Sequence, residues 1–157
     1  MDDLATLLEL LVEADVDFVV VGGVAAVSQG APVTTFDLDV VHRRTKQNVQ
    51  RIAGVLRAVG AHYRGRPELF PSEEAMLEPG HQLLMTKLGP FDLLGAIEQG
   101  LDYDALLPDT LEVETPVGLV RVLSLSKIVE LKRTSTNEKD RAMLPFLEAA
   151  LARRIDG

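Results

Sequence analysis

Asp37 and Asp39 stand one residue apart in the stretch Phe36-Asp37-Leu38-Asp39-Val40-Val41. On an extended strand, side chains alternate faces with a period of two, so both carboxylates project from one side. Two acids that close repel unless a cation sits between them. Mg²⁺ (or Mn²⁺) answers that need, since hard cations take carboxylate oxygens and share their remaining positions with water and phosphate. Upstream, Phe18 to Val21 is a run of β-formers that ends in Gly22-Gly23. Glycine lets a backbone approach a ligand closely, and a helix starting there aims free N–H groups at phosphate. Strand, Gly-Gly, helix, strand, Asp-x-Asp therefore reads as a phosphate site beside a metal site. Either half alone reads as a turn or as solvated acids; the ordered pair favours a site.

A third acid, Asp92, lies between Phe91 and Leu93-Leu94. An unpaired charge in an apolar strand is costly, so this carboxylate needs a partner. If its strand lies beside that of Asp37 and Asp39, three carboxylates converge. Between Val40 and Pro67 there is no acid, while Arg43, Arg44, Lys46, Arg51, Arg57, Arg64 and Arg66 all fall there. This block is either a solvated face or a positive surface that contacts phosphate. His42, His62 and His81 have no metal-ligand spacing and read as surface or strand-end residues. Ser124 and Ser126 show no nucleophile elbow.

The elements that must carry these residues follow from periodicity. Asp2 or Asp3 caps a first helix with an apolar stripe of Leu4, Leu7, Leu8, Leu11 and Val12, ending near Ala14. Strand 17–21 is nearly all apolar and so is expected to be buried on both faces. A helix over 23–29 with Gly30 at its end precedes a strand over 35–41. Thr45 caps the next helix, whose stripe is Val49, Ile52, Leu56 and Val59, with Gly60 as its stop. Residues 61–79, punctuated by Gly65, Pro67, Pro71 and Pro79, read as a loop with at most one short helix or strand. Two hairpins are expected, 82–86 with 91–94 and 110–115 with 117–123, with a short helix over 103–107 between them. Ser124 or Ser126 opens a helix to about Arg133, and a polar joint at 134–137 leads to a last helix. Pro145 fits that helix only near its first turn or as a kink. The pattern is α+β (mixed α/β), a small mixed sheet flanked by helices with a C-terminal helix pair.

With 157 residues, 46% hydrophobic and 25% charged, the chain is one domain's worth, 1–157. It has no cysteine, which excludes disulfides, thiolate zinc sites and a cysteine nucleophile. A net charge of −8 argues against coating nucleic acid by overall field. No membrane-length apolar run occurs, and the acidic start is unlike a signal peptide, so a cytoplasmic protein is expected.

Val21-Gly22-Gly23, Asp37-Leu38-Asp39 and the later Asp92, in that order, resemble the nucleotidyltransferase fold of the polymerase-β type. The chain is similar to small bacterial members, including abortive-infection (AbiEii-type) toxins and their relatives. Lys132 and Lys139-Asp140 look like the late lysine and basic-Asp element of that group. The resemblance implies Mg²⁺-dependent transfer of a nucleotidyl group from a nucleoside triphosphate to an RNA, protein or small-molecule acceptor. In that reading Asp37 and Asp39 hold two metal ions, and Asp92 joins them and helps activate the attacking hydroxyl. Gly22, Gly23 and Ser28 would cradle the triphosphate, Lys132 would neutralise it, and Asp140 would orient a basic partner or contact substrate.

Two departures stand out. The approach Pro32 to Phe36 lacks the basic residue common before the acid pair, and Val24 replaces a frequent serine. Arg43 or Arg44 would have to supply the missing charge. The competing readings are a catalytically silent member that binds nucleotide or a protein partner, as an antitoxin-like or regulatory module, and a plain interaction domain whose acids point apart. A cognate toxin or antitoxin is a partner in either of the first two settings.

Overall fold

The computed structural model describes residues 3–156. Its frame is a seven-stranded mixed sheet in the order β3-β4-β5-β2-β1-β7-β6. The strands are β1 (Phe18–Val21), β2 (Leu38–His42), β3 (His62–Tyr63), β4 (His81–Thr86), β5 (Gly89–Leu94), β6 (Thr110–Thr115) and β7 (Gly118–Leu123). The helices are α1 (Asp3–Glu13), α2 (Gly22–Ser28), α3 (Lys46–Ala58), α4 (Glu73–Leu77), α5 (Tyr103–Leu106), α6 (Leu125–Arg133) and α7 (Glu138–Asp156). Among the described residues, no helix is long and apolar enough to cross a membrane.

The centre of the sheet is its most apolar part. All four residues of β1 are buried, as a strand covered on both faces requires. β1 pairs antiparallel with β2 and parallel with β7, and β2 pairs parallel with β5. Along β2 the residues divide by parity. Leu38, Val40 and His42 face the side of α3 and α4, where Leu84, Phe91 and Leu93 complete a buried layer. Asp39 faces the other side, where α2 packs against β2 and α6 packs on α7.

Local signals account for most helix starts. Thr45 accepts a hydrogen bond from the N–H of Asn48 at 3.3 Å, and Ser124, rather than Ser126, accepts from Lys127 N–H at 3.2 Å. Asp2, the alternative first cap, lies outside the described residues. Four expectations are corrected. β2 begins at Leu38 rather than Thr35, because Thr35 turns its hydroxyl onto the carbonyl of Asp37 at 3.2 Å and leaves the ladder. The stretch 61–79 holds both β3 and α4, the latter capped by Ser72. His42 is at a strand end but 1% exposed, with its ring nitrogens 2.7 Å from the Met76 carbonyl and 3.1 Å from that of Leu94. Burial pushes its pKa below the usual histidine value, against the pull of the two carbonyl oxygens that face its ring nitrogens. Pro145 lies past the first turn, inside the nineteen-residue α7, where the carbonyl one turn earlier loses its N–H partner.

Candidate active site

Four neighbouring strands put the acids in one row. In register, Val21 stands opposite Asp39, Asp39 opposite Asp92, and Asp92 opposite Leu83. Asp37 precedes β2, yet its carboxylate returns to the same spot: one oxygen from each of Asp37, Asp39 and Asp92 lies within 4.8 Å of the others. Parity on a strand explains Asp39 and Asp92. Asp37 is placed by the Thr35 turn instead.

The glycine pair makes this geometry possible. Gly22 has φ +67°, and a Cβ there would lie 2.3 Å from Oδ2 of Asp39. A Cβ on Gly23 would lie 2.7 Å from the Thr35 side chain. The two glycines therefore clear space for the acid and for the turn that presents its neighbour. Whatever approaches Asp39 also meets bare backbone at Gly22.

As it stands, the cluster is electrostatically incomplete. Oδ1 of Asp39 is buried and has no hydrogen-bond partner. Burial, and then the neighbouring carboxyls of Asp92 and Asp37, push the Asp39 pKa up to about 7. A divalent cation bonded by these oxygens fits both facts: it takes the orphaned lone pairs and removes the repulsion. Asp37, Asp39 and Asp92 are all hard oxygen donors, suited to Mg²⁺ or Mn²⁺.

Beside the acids opens a cavity of about 650 Å³, a size typical of small-molecule sites. Gly22, Gly23, Asp37 and Asp39 line its mouth, together with Lys132, Lys139 and Asp140. Its floor is apolar, built from Val21, Ala26, Leu123, Ile128, Leu131, Met143 and Leu147. Lys132 projects from α6 and pairs with Asp140 of α7 at 3.3 Å and with Glu98 at 3.5 Å. Asp140 also accepts a hydrogen bond from the Ser135 hydroxyl at 2.8 Å. Asp140 thus holds a basic partner at the cavity.

Three predicted residues do not line the cavity: Ser28, Arg43 and Asp92, the last although it joins the acid cluster. The Ser28 hydroxyl donates to the carbonyl of Ala25 at 2.7 Å and Ser28 does not line the cavity, because α2 turns it to the outer face. Arg43 lies beyond the opposite end of β2, pairs with Asp17 at 3.0 Å and stacks 4.7 Å from the ring centre of Tyr103. Arg44 pairs with Asp102 at 3.7 Å in the same group. Neither arginine supplies charge to the cavity, which answers the departure noted in the sequence: Lys132 and Lys139 are the cations lining it.

Three residues escaped the sequence reading. Arg64 donates to Asp92 Oδ1 at 2.6 Å and is the partner that this carboxylate required. Phe36 is 76% exposed and lines the cavity mouth beside Asp37. Gln29, which is buried, donates to the carbonyl of Leu123 at 2.8 Å and accepts from the N–H of Leu125 at 2.7 Å, tying α2 to the strand and helix behind the cavity. A glutamine in place of a solvated C-cap was the one available signal.

No protein-family profile matches the sequence, and no curated protein matches it. Solved structures do match in shape. The lincosamide antibiotic adenylyltransferase LnuA, solved with lincomycin bound, aligns with a TM-score of 0.63 at 15% identity, over 94% of this chain and 96% of that one. The antibiotic-resistance factor ANT(2'')-Ia aligns at 0.60 and 14% identity, over 99% and 89%. A Thermotoga maritima protein designated a nucleotidyltransferase aligns at 0.54 and 22% identity, over 93% and 91%. The three-acid row, the glycine turn against it and these whole-length likenesses converge on one statement: the chain has the nucleotidyltransferase fold.

Proposed function

We propose that the protein is a divalent-metal-dependent nucleotidyltransferase that moves a nucleotidyl group from a nucleoside triphosphate to a hydroxyl acceptor. The observation that carries this reading is the buried, partnerless Oδ1 of Asp39 within a triad of acids at a cavity mouth. Asp37, Asp39 and Asp92 would hold the cation, which supplies Lewis-acid charge for the triphosphate and the attacking oxygen.

The chain's own residues do the rest. Gly22 and Gly23 admit the triphosphate to the backbone beside Asp39. Lys132, already steered by Asp140, and Lys139 offset its charge. The acceptor oxygen attacks the α-phosphorus, its proton passes to Asp92 or to water, and the bond from the α-phosphorus to the bridging oxygen breaks to release pyrophosphate. The apolar floor of the cavity takes the nucleoside or the body of a small acceptor. A small-molecule hydroxyl is the acceptor favoured over RNA or protein, because the likeness to an antibiotic adenylyltransferase and to an antibiotic-resistance factor spans nearly the whole chain.

A role as a toxin–antitoxin component of the AbiEii-like kind rests on the sequence resemblance alone. Co-expression with genes adjacent to its own, scored for growth arrest and rescue, tests it. A second reading, a silent member that binds nucleotide without turnover, is favoured by one observation: Lys132 is already engaged by Asp140 and Glu98.

Calorimetric titration with non-hydrolysable analogues of each nucleoside triphosphate, with Mg²⁺ and with chelator, tests the binding half. Metal-dependent binding that is lost in Asp37→Ala supports the site and names the nucleotide. No binding by any of the four removes the proposal. Release of pyrophosphate with a hydroxyl acceptor separates the active from the silent reading.

A further inference from the structure

The row of residues that carries the acids does not end at Leu83. The N–H of Arg64 donates to the carbonyl of Leu83 at 3.0 Å, so Arg64 continues the row past Leu83 at the edge of the sheet. Its guanidinium crosses back over that strand. It donates to the carbonyl of Leu84 at 2.9 Å and to Asp92 Oδ1 at 2.6 Å. The side chain is thus held at its backbone and at its head. Its turn is held as well, since Tyr63 bridges to Arg66 and donates through its hydroxyl to Gln82. Asp92 is 18% exposed in its side chain and does not line the nucleotide-sized cavity, whereas Asp37 and Asp39 do.

Charge around the triad then adds up in one way. Asp37, Asp39 and Asp92 contribute three negative charges, and Arg64 contributes one positive. Lys132, the cation that acts on Asp39, is itself paired with two acids, Asp140 and Glu98, and so adds no net positive charge to the group. The three acids and Arg64 alone sum to −2, which one divalent cation balances. A second would stand against a fixed guanidinium that already holds an oxygen of Asp92, and like charges at that range repel strongly outside bulk water. Charge-assisted hydrogen bonds of this kind are about twice as strong as neutral ones, so the guanidinium is not readily displaced.

We infer that Arg64 is a positioning residue that fills the place of a second metal ion, making the triad a one-metal centre in which Asp37 and Asp39 hold the ion and Arg64 holds Asp92. This replaces the pair of ions expected from the sequence, and narrows the three-acid ligand set proposed above to Asp37 and Asp39; it rests on reading the acids as a metal site. The acceptor hydroxyl then meets an Asp92–arginine pair rather than a metal-bound carboxylate.

The test counts ions on the full chain without nucleotide. Mn²⁺ is titrated to several millimolar at pH 8, and free Mn²⁺ is read by electron paramagnetic resonance. One Mn²⁺ per chain is expected for the wild type and for Arg64→Lys, which keeps the charge. Two are expected for Arg64→Met, with spin–spin broadening from neighbouring ions. Asp92→Asn should still bind one. Two ions on the wild type, or one on Arg64→Met shown to be folded by its melting curve, overturns the inference while leaving the metal site intact. Loss of the ion in Asp92→Asn also overturns it. No Mn²⁺ on any variant overturns it together with the proposed function. One ion on the wild type and two on Arg64→Met support it even if no nucleotide binds.

Discussion

The two ends of β2 carry charge in opposite states. Beyond His42, Arg43 and Arg44 meet Asp17, Asp102 and Asp104, with Tyr103 beneath the Arg43 guanidinium. Each of these charges has a partner, and these side chains are mostly half-exposed. At the other end Asp37 and Asp39 face each other with one buried oxygen unbonded and one pKa pushed up to about 7. A protein that can complete an ion network at one end of a five-residue strand leaves it incomplete at the other. Incompleteness, not the number of charges, marks the site.

The comparison is broken most severely by Asp39→Asn. It removes the charge that faces the Gly22 backbone, so transfer should fall by roughly 10²–10³-fold or more, the scale of losing one preorganised electrostatic contact in an active site. Steady-state pyrophosphate release measures this, and full activity in the mutant rules out the metal assignment.

Next in size is an effect of pH on the metal-free protein. Asp39 binds its proton more tightly folded (about 7) than unfolded (3.8). Between those values the native state holds more protons, so stability is greatest below pH 4 as far as this group is concerned and is lost as pH rises through 7. The loss is on the order of a few kcal/mol. Melting in chelator should therefore occur at lower temperature at pH 8 than at pH 5.5, and Mg²⁺ should restore much of it at pH 8. Asp39→Asn should flatten the difference. A melting temperature that does not move with pH in the wild type removes the electrostatic account.

Gly22→Ala sharpens the steric half. A left-handed alanine costs about 1–2 kcal/mol, and its methyl would press on Asp39, so both melting temperature and Mn²⁺ affinity should drop. Lys132→Ala should weaken nucleotide binding by roughly tenfold, about 1.4 kcal/mol, with the fold retained; calorimetry reads it. At the completed end, Arg43→Ala should cost no more than about 1 kcal/mol, as exposed pairs do, and should leave nucleotide affinity unchanged. A large loss of affinity there would return Arg43 to the site.

Much of this was legible because it is local. Gly-Gly followed by Asp-x-Asp needs only strand parity and a turn, and an acid inside Phe91-Asp92-Leu93 advertises its need of a partner. The partner itself was not legible. Arg64 lies in a stretch without periodicity, and its contact spans 28 residues and crosses a strand. The basic block was legible as charge but not as position. Arg43 stands four residues past Asp39 along an extended strand, roughly 13 Å at about 3.3 Å per residue, so strand geometry already argued against a shared site. Lys132 and Asp140 converge because α6 packs on α7, which no spacing rule encodes.

Gln29 gives the molecule a timetable. Its side-chain oxygen waits for the N–H of Leu125, 96 residues later. At about 5–20 residues per second a ribosome needs roughly 5–20 s to supply that partner. By the end of that interval the nascent chain holds Gly22, Gly23 and all three acids, while both cavity lysines are still unmade. Nucleotide capture on this chain is thus expected to come late in synthesis, after α6 and α7 have emerged; stalled chains ending before Ser124 should bind no analogue, and chains carrying α7 should.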